Sequence, residues 1–396
     1  MGERVKYKDA LYGEWELPDF LKRLAMTKEM VRLRNITQSV LPNDFMPRGP
    51  IPSRFQHGLG VARLADAVLE NYPDPFDYKI FLLIAALLHD AGNPPFSHLC
   101  EPFLKEATGY DGESFLKVLL DGSEAEKILK EYKISVGEIT AYVTGNARPF
   151  SDILNGSMDI DNLDNVGRYN LSANLGAEKF NAIKIASSFR LNHSGCFDNK
   201  SGWFILDKDS VWEEAQKWKK ARRIVYSSIY GTPHLSVAMM VYRAVEIAFF
   251  ENEIGFDFFL FNDHEAIAYL LTKCNSRTRR LVEKARRWDW YEEIIAIETA
   301  NPTLKLKELA SNWKSRKYIA DKLCERFSRG EPDAFCVYIG KGKDKRKIIV
   351  PFVYDTGDKR FDLCDDSPIY RFKVWMDRKE TVNRKELKYY TQELIS

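Results

Sequence analysis

Histidine is scarce in this chain of 396 residues, six in all, and neither charge is in excess, with 59 lysines and arginines against 57 aspartates and glutamates. So close a balance excludes the strongly basic composition of a dedicated nucleic-acid binder and leaves the grip on any anion to local arginines and lysines. The six cysteines (Cys100, Cys196, Cys274, Cys324, Cys336, Cys364) include no CxxC pair, which argues against a disulfide scaffold or a zinc ribbon and for reduced thiols. The longest apolar run, Ile80 to Leu88, is too short to span a bilayer, and the charged Met1 to Tyr12 segment has no apolar h-region. A cytoplasmic protein without membrane contact is the expectation. Repeats and low-complexity tracts are absent as well.

What is present is enough apolar material for a large core or two domains, 45% hydrophobic with 13% aromatic residues. Helical periodicity dominates the first 320 residues or so, which predicts a mostly α fold. Pro18 suits the first turn of a helix through Phe20, Leu21, Leu24, Met30 and Leu33, followed by a proline-rich loop from Pro42 to Pro52. From Arg54, the apolar set Val61, Leu64, Ala65, Val68 and Leu69 repeats at helical spacing, and His57 shares its buried face. The next helix, Tyr78 to His89, is apolar nearly all round and therefore central; Gly92, Pro94 and Pro95 end it just beyond Asp90. Beyond Gly330 the pattern shifts to short β-rich runs, Phe335 to Ile339, Lys347 to Tyr354 and Tyr370 to Trp375, with the basic Gly340 to Lys345 stretch as a hairpin turn. The expected organisation is a helical core over residues 1–325 and a small mixed α/β appendage over 326–396.

Against its scarcity, histidine clusters: His57, His89 and His98 fall within 42 residues, two of them on otherwise apolar segments. A buried imidazole needs a partner, and an ionised Asp90 beside His89 is costly to bury without a cation or hydrogen-bond donors. One divalent metal answers both needs. Core histidines bonded to backbone, with Asp90 as a local cap, are the alternative that these residues alone leave open. A third segment, Ser157 to Arg168, places Asp161, Asp164 and Arg168 at i, i+3 and i+7 of one helical face, and one carboxylate there can complete a site. Two imidazoles and two carboxylates form a mixed N/O donor set that suits Mn, Fe, Ni, Co, Zn or Mg.

In their order and spacing, Arg54-Phe-Gln-His57-Gly-Leu-Gly-Val61, Leu88-His89-Asp90-Ala-Gly-Asn93-Pro-Pro-Phe-Ser-His98 and Asp159-Ile-Asp161 resemble the HD-domain deoxynucleoside triphosphate triphosphohydrolases. The resemblance extends through Asp9 to Gly13, Arg32 to Gln38, Arg222 to Tyr230 and Asp263 to Tyr291, about three quarters of the chain. It implies an HD-domain helical core in which His57, His89, Asp90 and Asp161 hold the metal, and it implies that His98 and Glu101 form the acid/base pair. Substrate contacts are expected from Arg54, whose guanidinium fork suits phosphate, from Gln38 near the sugar, from Arg222 and Tyr230, and from Asp164. A nucleotide substrate and a homo-oligomer are implied in the same way. Asn93-Pro94-Pro95 resembles the bacterial dGTPase branch.

The chain also departs from that pattern. Asn162, Asn165 and Tyr169 stand where the family has a basic residue, a tyrosine and an aspartate, and Tyr110-Asp111-Gly112 occupies the place of a further active-site histidine. A non-hydrolytic nucleotide sensor or scaffold, or a phosphatase acting on another ester, is therefore kept beside nucleotide hydrolysis; His98 and Glu101, both retained, favour the enzyme. Asn93 in place of a lysine and the absence of a Gly-Tyr-Pro signature argue against a cyclic-dinucleotide phosphodiesterase, and too few histidines remain for a di-iron oxygenase. Arg223, Arg277, Arg279, Arg280, Arg286 and Arg287 read as a solvated helix face; nucleic-acid binding through them is possible but not claimed.

Overall fold

The computed structural model describes residues 5–47, 51–70, 76–148, 150–156, 158–191, 204–328, 332–342, 351–353, 359–361 and 369–396. Its architecture is mostly α, as expected, with three small sheets set around the helices. No helix among the described residues is long and apolar enough to cross a membrane.

Three helices build the core around the histidine cluster. Arg54–Leu69 starts on a capping box in which the Ser53 hydroxyl accepts the Gln56 amide while the Gln56 side chain returns to Ser53. Its apolar face, including Val61, Leu64, Ala65 and Val68, is fully buried against Phe76–Leu88, whose Leu82, Ile84, Ala85, Leu87 and Leu88 are likewise buried, as befits a helix apolar on all sides. Ile160–Ser172 packs on the first of these, with Asp159 as its N-cap accepting the Asn162 amide at 2.6 Å. A second apolar cluster gathers the long helix His234–Phe250 with Phe45, Phe96, Phe103, Phe258 and the helix Ser276–Arg286.

The predicted helix from Pro18 through Leu33 is interrupted. Asp19–Ala25 ends at Met26, Thr27 takes an extended conformation just before Lys28–Arg32, and a 3-10 turn covers Leu33–Asn35. The Thr27 hydroxyl donates to the Leu24 carbonyl at 2.7 Å, the local side-chain bond that competes with a continuing helix.

Strands also occur where helical periodicity dominates the sequence. Val5–Asp9 and Gly13–Leu17 form a hairpin. Phe189–Leu191 and Phe204–Asp207 join Pro351–Val353 and Lys359–Phe361 in a four-stranded sheet. Glu292–Thr299 and Phe335–Gly342 flank Ile369–Met376 in an antiparallel sheet of three. The strand expected to end at Ile339 runs on through Gly342, which pairs with Ile369, so the turn expected at Gly340 to Lys345 does not start before residue 343. Residues 343–350, the rest of that turn and the start of the run from Lys347, lie outside the described residues.

The arginine face of Ser276–Arg286 is also more than a solvated surface. Arg277 makes two bonds, 2.8 and 2.9 Å, to the fully buried Asp333 just ahead of the sheet strand Phe335–Gly342. Arg243 adds a buried pair to Glu246 and a partly exposed one to Asp321, so an ionic network joins the helices to the sheet. Cys100, Cys274, Cys324 and Cys336 are free thiols, and burial pushes each of them up from the ordinary thiol range; Cys196 and Cys364 lie outside the described residues.

Candidate metal centre and cleft

Each histidine of the centre is oriented from behind. His57, in the first turn of its helix and only 2% exposed, donates from Nδ1 to Asp164 Oδ2 at 2.7 Å. Arg168 grips both oxygens of Asp164, at 2.7 and 2.9 Å, and donates to Asp9 Oδ2 at 2.9 Å, so a buried chain Asp9–Arg168–Asp164–His57 fixes the ring. Burial works against the Asp164 charge, but Arg168 prevails and brings its pKa down to about 2. Gly60 makes the arrangement possible, since a Cβ there would lie 2.0 Å from Asp164 Oδ1 and 2.2 Å from Arg168 Nη2. His89, just past the end of its helix, donates from Nδ1 to the Ala86 carbonyl at 2.8 Å.

With both Nδ1 atoms serving as donors, both Nε2 atoms carry lone pairs, and these face one another at 3.2 Å. Asp161 Oδ1 stands 2.9 Å from the His57 Nε2 and 3.9 Å from the His89 Nε2; Asp90 Oδ2 stands 3.7 and 3.4 Å from the same two atoms. Two lone pairs and two carboxylate oxygens crowded together repel unless a proton or a cation sits among them. A proton relieves that repulsion in part. Burial alone would lower both imidazoles, but Asp90 raises His89 to about 9, and the bonds to Asp161 and Asp164 raise His57. A divalent cation fits the donor set as well: His57, His89 and Asp90 offer ligand atoms within 4.8 Å of one another, and Asp161 Oδ1 stands beside them, 2.9 Å from the His57 Nε2. Asp161 is also the open side of the centre, its side chain 40% exposed.

Asp90 is the most restrained of the four. Arg54 pairs with Oδ2, and the Asn93 amide donates to Oδ1 at 2.5 Å. Burial opposes its ionisation, but Arg54 and His89 hold its carboxyl well below the usual range. Arg54 in turn donates from Nε to the Ser97 hydroxyl at 2.7 Å.

The centre opens into a cleft of about 160 Å³ lined by Gln38, Arg54, His98, Glu101, Glu113, Asn165, Tyr226 and Tyr230, among others. His98 is half exposed, and its Nδ1 bonds Glu101 Oε2 at 3.1 Å, which turns Nε2 away from the carboxylate. Gln38 donates to Asn165 Oδ1 at 3.3 Å, while its own carbonyl is buried without a protein partner. Tyr226 and Tyr230, one turn apart at the end of Lys208–Ile229, present nearly parallel rings 6.4 Å apart.

Two of the expected substrate contacts lie elsewhere. Asp164 is completely buried behind His57 with both oxygens taken by Arg168, so it orients the His57 ring and does not face the cleft. Arg222 is 4% exposed and is not among the lining residues; its guanidinium lies over the Tyr226 ring, 4.6 Å from the centroid, so Tyr226 is the residue of that helix turn that reaches the cleft. The sequence reading missed the parts played by Glu113, Tyr226, Asn93, Arg168 and Asp9. Asn93, at i+3 from Asp90, carried a spacing signal; Asp9, 159 residues from Arg168, carried none. Burial, then the neighbouring Asp111, raises Glu113 to about 7.

Residues 54–167 match the HD domain family, and this stretch carries all four converging side chains. The uncharacterized protein YwfO of Bacillus subtilis is 31% identical over 259 residues, covering 62% of this chain and 57% of its own. The deoxynucleoside triphosphate triphosphohydrolase SAMHD1 homolog of Dictyostelium discoideum is 28% identical over 179 residues, covering 40% of this chain and 35% of its own. The chain thus matches little more than half, or less, of the length of these relatives. A crystal structure of a phosphohydrolase from Bacteroides thetaiotaomicron shares the fold, with a TM-score of 0.70 over 95% of this chain and 100% of that one at 16% identity.

Proposed function

We propose that the protein is a metal-dependent nucleotide phosphohydrolase that cleaves (deoxy)nucleoside triphosphates at the α-phosphorus, releasing nucleoside and tripolyphosphate. The observation that carries the reading is the pair of imidazole Nε2 atoms 3.2 Å apart with a carboxylate oxygen on either side. His57, His89, Asp90 and Asp161 would hold one divalent cation, drawn from Mn, Fe, Ni, Co, Zn or Mg. When bound, such a cation polarises a phosphoryl oxygen and makes a neighbouring water more acidic.

The remaining residues supply the rest. Arg54, anchored on Asp90 and Ser97, presents guanidinium charge at the cleft for a phosphate oxygen. His98, its Nδ1 held by Glu101, directs Nε2 to the leaving 5′ oxygen and delivers the proton that this oxygen needs as its bond to phosphorus breaks. Gln38 offers the sugar an unpaired carbonyl, and Tyr226 and Tyr230 offer flat apolar faces. Arg222 acts through the Tyr226 ring. Similarity to SAMHD1 proteins supports the nucleotide substrate, and a cytoplasmic homo-oligomer is part of the same proposal.

The test is a panel of nucleotides, sugar phosphates and phosphodiesters incubated with several metals, with the product identified as phosphate, pyrophosphate or tripolyphosphate. Tripolyphosphate from at least one nucleotide supports the reading, and another product moves the chain to a different ester. No turnover with metal bound favours the sensor, a reading to which the Gln38–Asn165 bond gives some footing, because Asn165 stands where the resembling family has a tyrosine.

A further inference from the structure

The turn that carries His98 is held in a conformation that its own residues disfavour. Phe96 and Ser97 are consecutive non-glycine residues with φ of 60° and 50°, a left-handed region that such residues occupy only when their surroundings over-determine it. Here the surroundings are specific. Asp263, 1% exposed, accepts the Phe96 amide at 2.8 Å on one oxygen and the Thr37 amide at 2.9 Å on the other. Thr37 precedes Gln38, so a single carboxylate ties the His98 turn to the segment that carries Gln38. Arg32 in turn donates to the carbonyls of Ala91 at 2.8 Å and Asn93 at 2.7 Å, and to that of Phe261 at 3.0 Å. A cation thus collects the carbonyls of the segment and an anion collects its amide. Neither residue lines the cleft.

We propose that Arg32 and Asp263 are positioning residues: they clamp the 91–98 segment so that His98, with Glu101 behind it, stands over the reacting phosphate. The inference rests on the reading of His98 as the proton donor. Loosening the clamp lets the Phe96–Ser97 pair relax and moves the imidazole, while the two histidines of the centre, which are oriented by Asp164 and by the Ala86 carbonyl, keep their places.

Asp263→Asn keeps the side chain's shape and removes its charge. The expected result is a kcat lower by on the order of 10–100-fold with KM nearly unchanged and metal stoichiometry intact. The same change made in His98→Ala should cause no further loss, since the residue it positions is gone. Full kcat in a folded Asp263→Asn, or losses that multiply in the double variant, would overturn the proposal. A readout independent of turnover separates it from the proposed reaction: the imidazole NMR signals of His98, identified by their disappearance in His98→Ala, should shift in both Asp263→Asn and Arg32→Lys. Signals unmoved in both would overturn the clamp whether or not any nucleotide is hydrolysed, whereas shifted signals in a protein without turnover would uphold the clamp and refute the reaction. Should Asp263→Asn fail to fold, Arg32→Lys decides by the same two readouts.

Discussion

The Nδ1 of His57 lies 2.7 Å from Oδ2 of Asp164, and neither group can turn away, because Arg168 and Asp9 hold the carboxylate from behind. That contact sets the tautomer of His57 and so makes its Nε2 an acceptor at the metal centre. Asp164→Asn, which offers an amide that can present a donor to Nδ1, should weaken metal affinity by on the order of 10–100-fold. Titration of the metal-free protein with Mn²⁺ by calorimetry measures this, and an unchanged affinity would separate Asp164 from the centre.

Gly60 gives the same assembly a steric test. A methyl at this position meets Asp164 Oδ1 at 2.0 Å and Arg168 Nη2 at 2.2 Å, two groups locked by their mutual ion pair. Gly60→Ala should therefore destabilise the fold by about 1–3 kcal/mol, the usual cost of overpacking, although alanine is the better helix former. Urea denaturation of the two proteins gives the comparison.

Metal uptake should release protons. Without metal, His89 is held up to about 9, so at neutral pH it binds a proton that a coordinating nitrogen must lose, and His57 is shifted in the same direction. Affinity for the cation should accordingly rise with pH and level off above about 9. Calorimetry in buffers of different ionisation enthalpy counts the protons released; a pH-independent affinity between 6 and 9 would show that these imidazoles are not the ligands.

Asp263 should leave its own mark on stability. Burial raises its carboxyl to about 6 against the pull of the Phe96 and Thr37 amides, above the 3.8 of an exposed aspartate. A raised carboxyl binds its proton more tightly in the folded state. Its contribution is therefore fully present below about pH 4 and is lost as pH rises to about 6, a swing of at most about 3 kcal/mol. The stability of the wild type relative to Asp263→Asn should fall over that interval in paired urea melts at pH 4, 5, 6 and 7.

The parts legible in the sequence were those with short-range signals. Helical spacing after Arg54 and the unbroken apolar run after residue 78 located the two helices that carry His57 and His89, and the rarity of histidine made the cluster visible. The third segment was legible through Asp161, Asp164 and Arg168 at i, i+3 and i+7, but the pattern could not say which carboxylate faces which way; Asp161 turns to the open centre and Asp164 to Arg168. Tertiary pairing was not legible at all. Phe335–Gly342 and Glu292–Thr299 both pair with Ile369–Met376, a partnership that no local pattern encodes. The division of the chain at residue 326 remains a proposal, and Glu292–Thr299 gives this sheet a member from the other side of that line. Thr27 broke a helix that periodicity would continue, because its hydroxyl found a backbone carbonyl.

The central claim is that two imidazoles and two carboxylates from three distant segments share one dication. Its most direct test is the metal content and Mn²⁺ binding of the purified, folded protein beside those of His57→Ala and His89→Ala. The account predicts one cation per chain in the parent protein and none held in either variant. A folded parent chain that binds no divalent ion across the pH range, or variants that bind it as well as the parent, would contradict it.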